Sequence, residues 1–247
     1  MTETPIRTGV ILGASGAIGE AVCRQLAPDW NLAGVSRRGL SDELLGIGVA
    51  DLRVDITEPD AGHRIEAWLD AAGWSCDALV ATSGVHEVAL LTEYEMESIE
   101  AMLAVNFLGP LAVTRALLPA MLSRRQGSIV WVGSVRADLG DPGQVVYAAT
   151  KGAMNSAARS LAREVGRRKV RVNIVSPGVV TSAMTDALAH SWQESLTKRN
   201  PLGRMADPEE VAAVICWLAG PESSYVTGAI VNVDCGESAA VLKTPVV

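Results

Sequence analysis

The stretch that says most about the architecture lies near the N-terminus, where residues 9–19 read GVILGASGAIG. Gly9–Leu12 is a short apolar run typical of a buried β-strand, and Gly13, Gly16 and Gly19 follow it in a turn. Glycines let a backbone turn tightly and approach a pyrophosphate, whose charge then meets the free N–H groups of a following helix. A helical pattern does follow, at Ala21, Val22 and Leu26. Taken alone, a plain strand-to-helix turn explains the three glycines as well as a phosphate site does.

The rest of the chain repeats this alternation of apolar runs and helical stretches. Further strands are predicted at Leu32–Val35, Leu52–Asp55, Ala78–Ala81, Ser128–Gly133, Val170–Val175 and Ala229–Val233. Helices are predicted at Ala61–Ala72, Met96–Val105, Leu111–Ser123, Ala148–Gly166 and Pro208–Leu218. Strands that are apolar throughout and alternate with helices indicate a parallel sheet covered on both faces. We therefore predict an α/β protein, residues 1–247 forming a single doubly wound (Rossmann-type) domain with a seven-stranded sheet and ligands at the carboxyl ends of its strands.

Composition excludes several classes of protein. Apolar residues make up 49% of the chain and charged residues 20%, which suits a sizeable core and not a disordered chain. The net charge of −7 argues against binding to nucleic acid. The four cysteines form no C-x-x-C pair and have no histidine at metal-ligand spacing, so no metal site is expected. Residues 1–8 lack the pattern of a signal peptide and no apolar run approaches a membrane span, which predicts a cytoplasmic protein without a membrane partner.

The second predicted strand ends in polar and basic residues, Ser36, Arg37 and Arg38. In dinucleotide-binding folds this tip faces the adenosine ribose, where a carboxylate would bind the 2′-hydroxyl and repel a 2′-phosphate. A serine and two arginines favour the phosphate instead, so the pattern predicts NADP(H). A solvated arginine pair at a strand end is the alternative. Asp55, at the end of the third strand, is placed to accept a hydrogen bond from the adenine amine.

Three residues further along form a candidate catalytic set. Tyr147 and Lys151 stand four residues apart at the start of a helical stretch, so both side chains project from one face. An ammonium beside a phenol lowers the pKa of the phenol, which makes tyrosine usable as a proton donor near neutral pH. Ser134 follows the Ser128–Gly133 strand, where its hydroxyl could polarise a substrate carbonyl oxygen.

Together these motifs resemble the short-chain dehydrogenase/reductase family, and within it most closely the β-ketoacyl-acyl-carrier-protein reductases. The resemblance extends from Thr8 to Gly236. The residues that carry it, in order and spacing, are Gly13–Gly19, Asp55, Asn106, Ser134, Tyr147, Lys151 and Ser176-Pro177-Gly178.

The resemblance implies hydride transfer from a nicotinamide to a carbonyl carbon, with Asn106, Ser134, Tyr147 and Lys151 as the catalytic residues. Tyr147 would protonate the oxygen, Ser134 would hydrogen-bond it, Lys151 would hold the nicotinamide ribose, and Asn106 would support a water-linked proton relay. The cofactor-binding residues that it implies are Gly13, Ser15, Gly16, Ala17, Ile18, Gly19, Ser36, Arg37, Arg38, Asp55, Ile56, Ser83, Gly84, Asn106, Tyr147, Lys151, Pro177, Gly178, Val180 and Ser182.

The chain also departs from the family pattern. Ala81-Thr82-Ser83-Gly84 stands where the family has an Asn-Asn-Ala-Gly stretch that braces the sheet, and Thr82 or Ser83 could replace that bracing. Cys235 replaces a glycine near the C-terminus. The resemblance places a substrate loop near residues 183–203, with Trp192 either contacting substrate or packing the loop. It also implies a homotetramer, and an acyl carrier protein partner held by Arg125 and Arg168, which could equally be a solvated basic edge.

The predicted function is an NADPH-dependent reductase of a β-ketoacyl or polyketide-type ketone. Two alternatives stay open from the sequence: a reductase of a quinone-like aromatic, and a non-catalytic dinucleotide-binding scaffold. The intact set of Ser134, Tyr147 and Lys151 argues against the scaffold. His86 follows the fourth strand and could border the substrate cleft, but it is predicted to lie on the surface.

Overall fold

The computed structural model describes residues 6–182, 185 and 200–239, and within them seven parallel strands form one sheet in the order β3-β2-β1-β4-β5-β6-β7. The strands are β1 (Arg7–Leu12), β2 (Trp30–Ser36), β3 (Ala50–Arg53), β4 (Cys76–Ala81), β5 (Gly127–Val132), β6 (Val170–Pro177) and β7 (Ile230–Val233). The predicted doubly wound sheet is confirmed. The third strand ends at Arg53, so the prediction that it runs to Asp55 is wrong: the chain leaves the ladder after Val54 N–H donates to the Ser36 carbonyl.

Helices connect the strands and cover both faces of the sheet. They are α1 (Ala17–Leu26), α2 (Asp42–Gly46), α3 (Ala61–Ala72), α4 (Met96–Leu103), α5 (Gly109–Arg124), α6 (Val145–Val165) and α7 (Pro208–Ala219). The short α2 fits the short segment between β2 and β3. Helix α6 begins three residues earlier than the sequence predicts, which places Tyr147 in its first turn.

The core is divided by the sheet into two apolar clusters. One joins the sheet to α3, α5 and α6 through residues such as Ile65, Leu117 and Met154. The other joins it to α1 and α7 through residues such as Val22 and Ile215. Because the strands contribute side chains to both clusters, they are apolar along their whole length, which is the pattern by which the sequence predicts them.

The continuous helical stretch Met96–Arg124 corrects one prediction. It has 29 residues, and by length and composition it is able to cross a membrane, so the prediction that no such stretch exists is wrong. In the fold, however, one face of α5 is buried through Val113, Leu117 and Met121, and it packs against the sheet and α3. The buried face of the stretch is therefore apolar because it packs in the core of the domain, whereas Met96, Leu103 and Leu108 in the same stretch are exposed.

The strand order reverses between β1 and β4, and this reversal fixes the position of the binding crevice. β1 pairs with β2 on one side and with β4 on the other, so the connections after β1 and β4 leave toward opposite faces. A crevice opens at the carboxyl ends of the strands where the connections diverge. Gly13, Thr82 and Gly133 follow β1, β4 and β5 at this edge.

Candidate active site

The glycine turn after β1 leaves no space for side chains at two of its positions. Gly13 has φ +78°, and a Cβ atom there would lie 2.7 Å from the Ser83 backbone nitrogen. A Cβ atom on Gly19 would lie 2.2 Å from the Gly13 carbonyl oxygen. Helix α1 begins directly after Gly16, and no side chain caps its N-terminus. The first N–H groups of α1 therefore face the crevice, and the turn is a cradle that fits a pyrophosphate.

The adenosine end of the crevice is a cavity of about 180 Å³ beside β2. Its lining includes the following predicted cofactor residues: Gly13, Ser15, Gly16, Ser36, Arg37, Arg38, Asp55, Ile56, Ser83 and Gly84. Arg37 and Arg38 are exposed, and Arg37 Nη1 lies 3.9 Å from Asp55 Oδ2. The side chain of Arg37 is 64% exposed, so its charge is available to an anionic ligand at this mouth.

Asp55 keeps its charge at this mouth. Burial raises the pKa of its carboxyl. Hydrogen bonds from the backbone and hydroxyl of Thr57, together with the charge of Arg37, lower the pKa by more than burial raises it, so the pKa falls below its usual value. Thr57 N and Oγ1 both donate to Asp55 Oδ1, at 2.9 and 2.7 Å. The second oxygen, Oδ2, faces Arg37 at the mouth of the cavity.

A second cavity of about 490 Å³ contains the candidate catalytic side chains. Its lining includes the following predicted site residues: Ser15, Gly16, Ala17, Ile18, Gly19, Arg38, Gly84, Ser134, Tyr147, Lys151, Pro177, Gly178, Val180 and Ser182. Ser15, Gly16, Arg38, Thr82 and Gly84 line both cavities. The phosphate cradle thus lies between an adenosine mouth and a catalytic chamber, and the crevice as a whole fits a dinucleotide.

Tyr147 and Ser134 bring two hydroxyls together in the larger cavity. Ser134 is buried at the end of β5, and its Oγ accepts a hydrogen bond from Arg136 N at 3.2 Å. Burial raises the pKa of the Tyr147 phenol above its usual value, although its hydrogen bond with Ser134 and the nearby Arg136 charge both lower it. The phenol therefore stays protonated at neutral pH and is a proton donor as it stands.

Lys151 does not act on Tyr147 as the sequence predicts. Its Nζ lies 5.7 Å from the centre of the Tyr147 ring and donates to the Val132 carbonyl at 2.9 Å. Burial lowers the pKa of Lys151 to about 8, which leaves the ammonium charged at neutral pH but close to losing its proton. The predicted lowering of the Tyr147 pKa by Lys151 is wrong, because burial raises the pKa of the phenol and the ammonium is directed to the Val132 carbonyl of β5.

Asn106 lies behind the cavity wall and not in its lining. It is fully buried in a π-helical turn, Ala104–Leu108, that joins α4 to α5. Its Oδ1 accepts from Val85 N at 2.8 Å, and its Nδ2 donates to the Val85 carbonyl and to Thr150 Oγ1. Such a turn inserts an extra residue into the helix, and here it directs the amide toward the loop after β4 and the helix of Tyr147.

Thr82 performs the bracing that the family pattern assigns to asparagine. Its hydroxyl donates to the carbonyls of Leu12 and Gly13, at 2.8 and 3.2 Å, and ties the end of β4 to the end of β1. Ser83 Oγ is buried without a hydrogen-bond partner among the described residues. Of the two replacements that the sequence leaves open, the structure therefore assigns the bracing to Thr82.

Sequence reasoning missed Arg136 and Gln144 in the chamber wall, and it preferred the surface over the cleft for His86. The prediction that His86 lies on the surface is wrong: its ring lines the cavity and contacts the Tyr147 ring edge-on, with 4.5 Å between ring centres. Arg136 and Gln144 line the same cavity. The only signal that could have indicated Arg136 is its position two residues after Ser134, since the first residues after a strand turn into the crevice.

The predicted substrate loop falls mostly outside the described residues. Residues 183–184 and 186–199, which include Trp192, are among those that the structure does not describe. Before the loop, the Ser182 N–H donates to Thr185 Oγ1 at 2.9 Å, and both residues line the catalytic cavity.

Comparison with known proteins agrees with this geometry. The sequence model of a family described as enoyl-(acyl carrier protein) reductase matches residues 13–238. The 3-oxoacyl-(acyl-carrier-protein) reductase FabG of Thermotoga maritima is 37% identical over 235 residues, covering 92% of this chain and 96% of the relative. The chain belongs to the short-chain dehydrogenase/reductase family. It is thus an oxidoreductase of a family that acts on CH–OH and C=O groups.

Two further relatives agree with this placement in the family. The 3-oxoacyl-(acyl-carrier-protein) reductase MabA of Mycobacterium bovis is 30% identical and covers 93% of this chain and 92% of its own. A crystal structure of a 3-oxoacyl-(acyl-carrier protein) reductase from Brucella melitensis superposes with a TM-score of 0.85 at 30% identity, covering 93% of this chain and 90% of that one. The family resemblance predicted from the motifs is confirmed.

Proposed function

We propose that this protein is an NADPH-dependent carbonyl reductase that reduces the ketone of a β-ketoacyl or polyketide-type substrate. The observation that carries the proposal is the meeting of Tyr147 and Ser134 in a cavity that also borders the phosphate cradle. Two neighbouring hydroxyls in one cavity suit a reaction that generates negative charge on an oxygen. The relatives named as 3-oxoacyl reductases support the choice of ketone.

In the proposed mechanism the protein positions the substrate and handles its proton. When bound, NADPH would supply the hydride that the carbonyl carbon receives. Ser134 donates a hydrogen bond to the carbonyl oxygen and holds it against Tyr147, whose phenol gives up its proton to that oxygen. Lys151 holds the nicotinamide ribose and stabilises the phenolate that results. Asn106 fixes the backbone of Val85 and the start of α6, through which a water-linked relay returns a proton to the site.

The remaining predicted contacts follow the two cavities. Gly13–Gly19 would bind the pyrophosphate, and Asp55 and Ile56 would bind the adenine. Ser83 and Gly84 would line the crevice beside the adenosine ribose. Pro177, Gly178, Val180 and Ser182 would fix the nicotinamide with one face toward Tyr147. Each of these residues except the buried Ala14 lines one or both cavities, which supports the assignment.

Arg37→Asp tests the choice of cofactor. We expect the dissociation constant of NADPH to rise about 100-fold, because the change removes one charged partner of the 2′-phosphate and places a like charge there. The dissociation constant of NADH should change less than about threefold, since a hydroxyl can pair with the new carboxylate. Calorimetric titration with both dinucleotides measures the difference. Equal losses for both would remove the assignment of Arg37 to the phosphate.

A substrate panel tests the reaction itself. NADPH consumption is measured with a β-ketoacyl thioester, a simple ketone, a quinone and an enoyl thioester. The proposal expects turnover of the β-ketoacyl thioester to exceed that of the other three. Preferred reduction of the quinone or of the enoyl thioester would replace the proposed substrate, and no consumption with any of them would leave the scaffold alternative in its place.

We also propose a homotetramer in the cytoplasm, with residues 1–247 as one domain. Exposed apolar side chains of the α4–α6 region, among them Met96, Leu103, Leu108 and Val145, support a contact between copies there. Light scattering should give four times the mass of one chain, and a monomer would refute the assembly.

Arg125 and Arg168 are exposed on neighbouring turns, where Arg125 Nη2 donates to the Arg167 carbonyl. We propose this edge as the contact for an acidic acyl carrier protein.

A further inference from the structure

Arg136 is a buried cation at the catalytic end of the crevice that none of the roles above uses. Its side chain is 8% exposed, and it lines the same cavity as Ser134, Tyr147 and His86. A charged side chain is rarely buried unless it is paired. The question is therefore what holds the guanidinium in place and what its charge does there.

Two carboxylates from distant parts of the chain hold the guanidinium. Arg136 Nη1 lies 3.0 Å from Asp141 Oδ2, in the loop that leads into α6, and Nη2 lies 2.8 Å from Glu237 Oε1, in the turn after β7. The side chains of Asp141 and Glu237 are 14% and 4% exposed. Because a carboxylate contacts each terminal nitrogen, the guanidinium is held in a fixed position beside the cavity.

The backbone of the same residue contacts the catalytic serine. Arg136 N donates to Ser134 Oγ at 3.2 Å, which orients that hydroxyl toward the cavity. Arg136 thus links three segments that meet at the active site: the end of β5 with Ser134, the loop before Tyr147, and the turn after β7. A residue with these contacts controls both the place of the serine hydroxyl and the charge around the phenol.

We propose that Arg136 is a positioning residue for the proposed reduction: it fixes Ser134 and supplies a second buried positive charge that stabilises the Tyr147 phenolate. Asp141 and Glu237 hold that charge and set its strength. The inference rests on the proposed function for its consequence in catalysis, but the charge effect on Tyr147 exists without turnover. Arg136 acts on Tyr147 in the expected direction, since its charge lowers the pKa of the phenol.

The charged and titratable groups around Tyr147 define the expected signs. Lys151 lies on the same helix, His86 contacts the ring from the loop after β4, and Arg136 approaches from the turn after β5. Burial lowers the pKa of His86, although its hydrogen bond with Gln144 raises it, so the imidazole is neutral at the pH where tyrosine ionises. Removing the Arg136 charge should therefore raise the phenol pKa, and removing the Glu237 charge should lower it.

The chain has three tyrosines, which makes a direct test possible. The full-length protein is labelled with carbon-13 at the tyrosine ring carbon that bears the hydroxyl, and each signal is followed by NMR against pH. Tyr147→Phe identifies the Tyr147 signal. We expect the pKa of Tyr147 to increase in the order Glu237→Gln, wild type, Arg136→Met, with steps of about one unit, which is tenfold in the ionisation constant. Tyr94 and Tyr225 serve as internal controls and should not shift.

Arg136→Lys separates charge from structure, because it keeps the cation where Arg136→Met removes it. Its Tyr147 pKa should stay near the wild-type value even if the protein loses stability. A Tyr147 pKa in Arg136→Met at or below the wild-type value, or the same direction of shift in Arg136→Met and Glu237→Gln, would overturn the inference. If Arg136→Met does not fold, the comparison of Glu237→Gln with Arg136→Lys decides the question. The inference is then overturned if the pKa of Tyr147 does not fall in Glu237→Gln.

The substrate panel separates the two proposals. The expected order of phenol pKa values without turnover of any substrate would refute the proposed function and leave the charge effect intact. Turnover of the ketone with no change in the Tyr147 pKa between variants would refute the inference and leave the proposed function intact.

Discussion

Tyr147→Phe is expected to lower kcat for ketone reduction about 1,000-fold, the contribution of a positioned general acid. The phenol is the group that donates the proton, and its pKa is above the usual value because of burial, so it is fully protonated at neutral pH. Stopped-flow and steady-state assays of NADPH consumption measure the loss. The dissociation constant of NADPH should rise no more than about tenfold, because a single neutral hydrogen bond is removed.

Tyr94→Phe is the matched control for this prediction. Its hydroxyl donates to the carbonyls of Glu87 and Gly143, in the loop after β4 and before α6, and it does not line the catalytic cavity. The same chemical change there should leave kcat within about threefold of wild type, because a substitution outside the active site has only a small effect. Equal kcat values in the two phenylalanine variants would show that Tyr147 is not the acid.

Gly19→Ala is expected to weaken NADPH binding by about 100-fold or more, which corresponds to about 2.7 kcal/mol. A methyl group on Gly19 would lie 2.2 Å from the Gly13 carbonyl oxygen and 2.9 Å from Ala14 Cα, both backbone atoms that cannot rotate away. Either the turn or the start of α1 must move, and the N–H groups of the cradle move with it. The free energy of unfolding should fall by about 1–3 kcal/mol as in other overpacked sites.

Gly16→Ala adds the same methyl group to the same turn where there is space. Its Cβ atom would lie 3.4 Å from the Gly13 carbonyl oxygen, which is ordinary contact, and Gly16 has φ −94°, which any residue adopts. Its unfolding free energy should stay within about 1 kcal/mol of wild type. Urea unfolding of both variants makes the comparison, and similar losses of unfolding free energy in the two would contradict the steric argument for Gly19.

Much of the fold follows from the sequence because its determinants are local. A strand buried on both faces must be apolar along its length, so runs such as Gly9–Leu12 and Val170–Val175 predict the sheet directly. The interactions that determine where a strand or helix ends are less local. Nothing near Asp55 marks the end of β3 at Arg53, because that end is set by pairing with β2 across the sheet. The π turn at Asn106 likewise depends on bonds to Val85 and Thr150, which are distant in sequence.

The same distinction explains which parts of the site could be predicted. The cavity lining at Tyr147, Lys151 and Ser134 follows from spacing along one helix and one strand. The wall formed by His86 and Arg136 does not, because each residue is placed by partners far along the chain, such as Glu237, which lies 101 residues after Arg136. The pKa of Tyr147 also could not be read from spacing, since burial raises it and the charge that lowers it is that of Arg136.

The most direct test of the proposed reduction is transfer of a labelled hydride. Wild-type protein is incubated with a β-ketoacyl thioester and NADPH that carries deuterium at the transferable position of nicotinamide C4, and the product is analysed by mass spectrometry. We predict a hydroxyacyl thioester that is heavier by one mass unit than the product formed with unlabelled NADPH, with the deuterium on the carbon that bore the ketone. An unchanged thioester, or product without deuterium at that carbon whichever face of the nicotinamide is labelled, would contradict it.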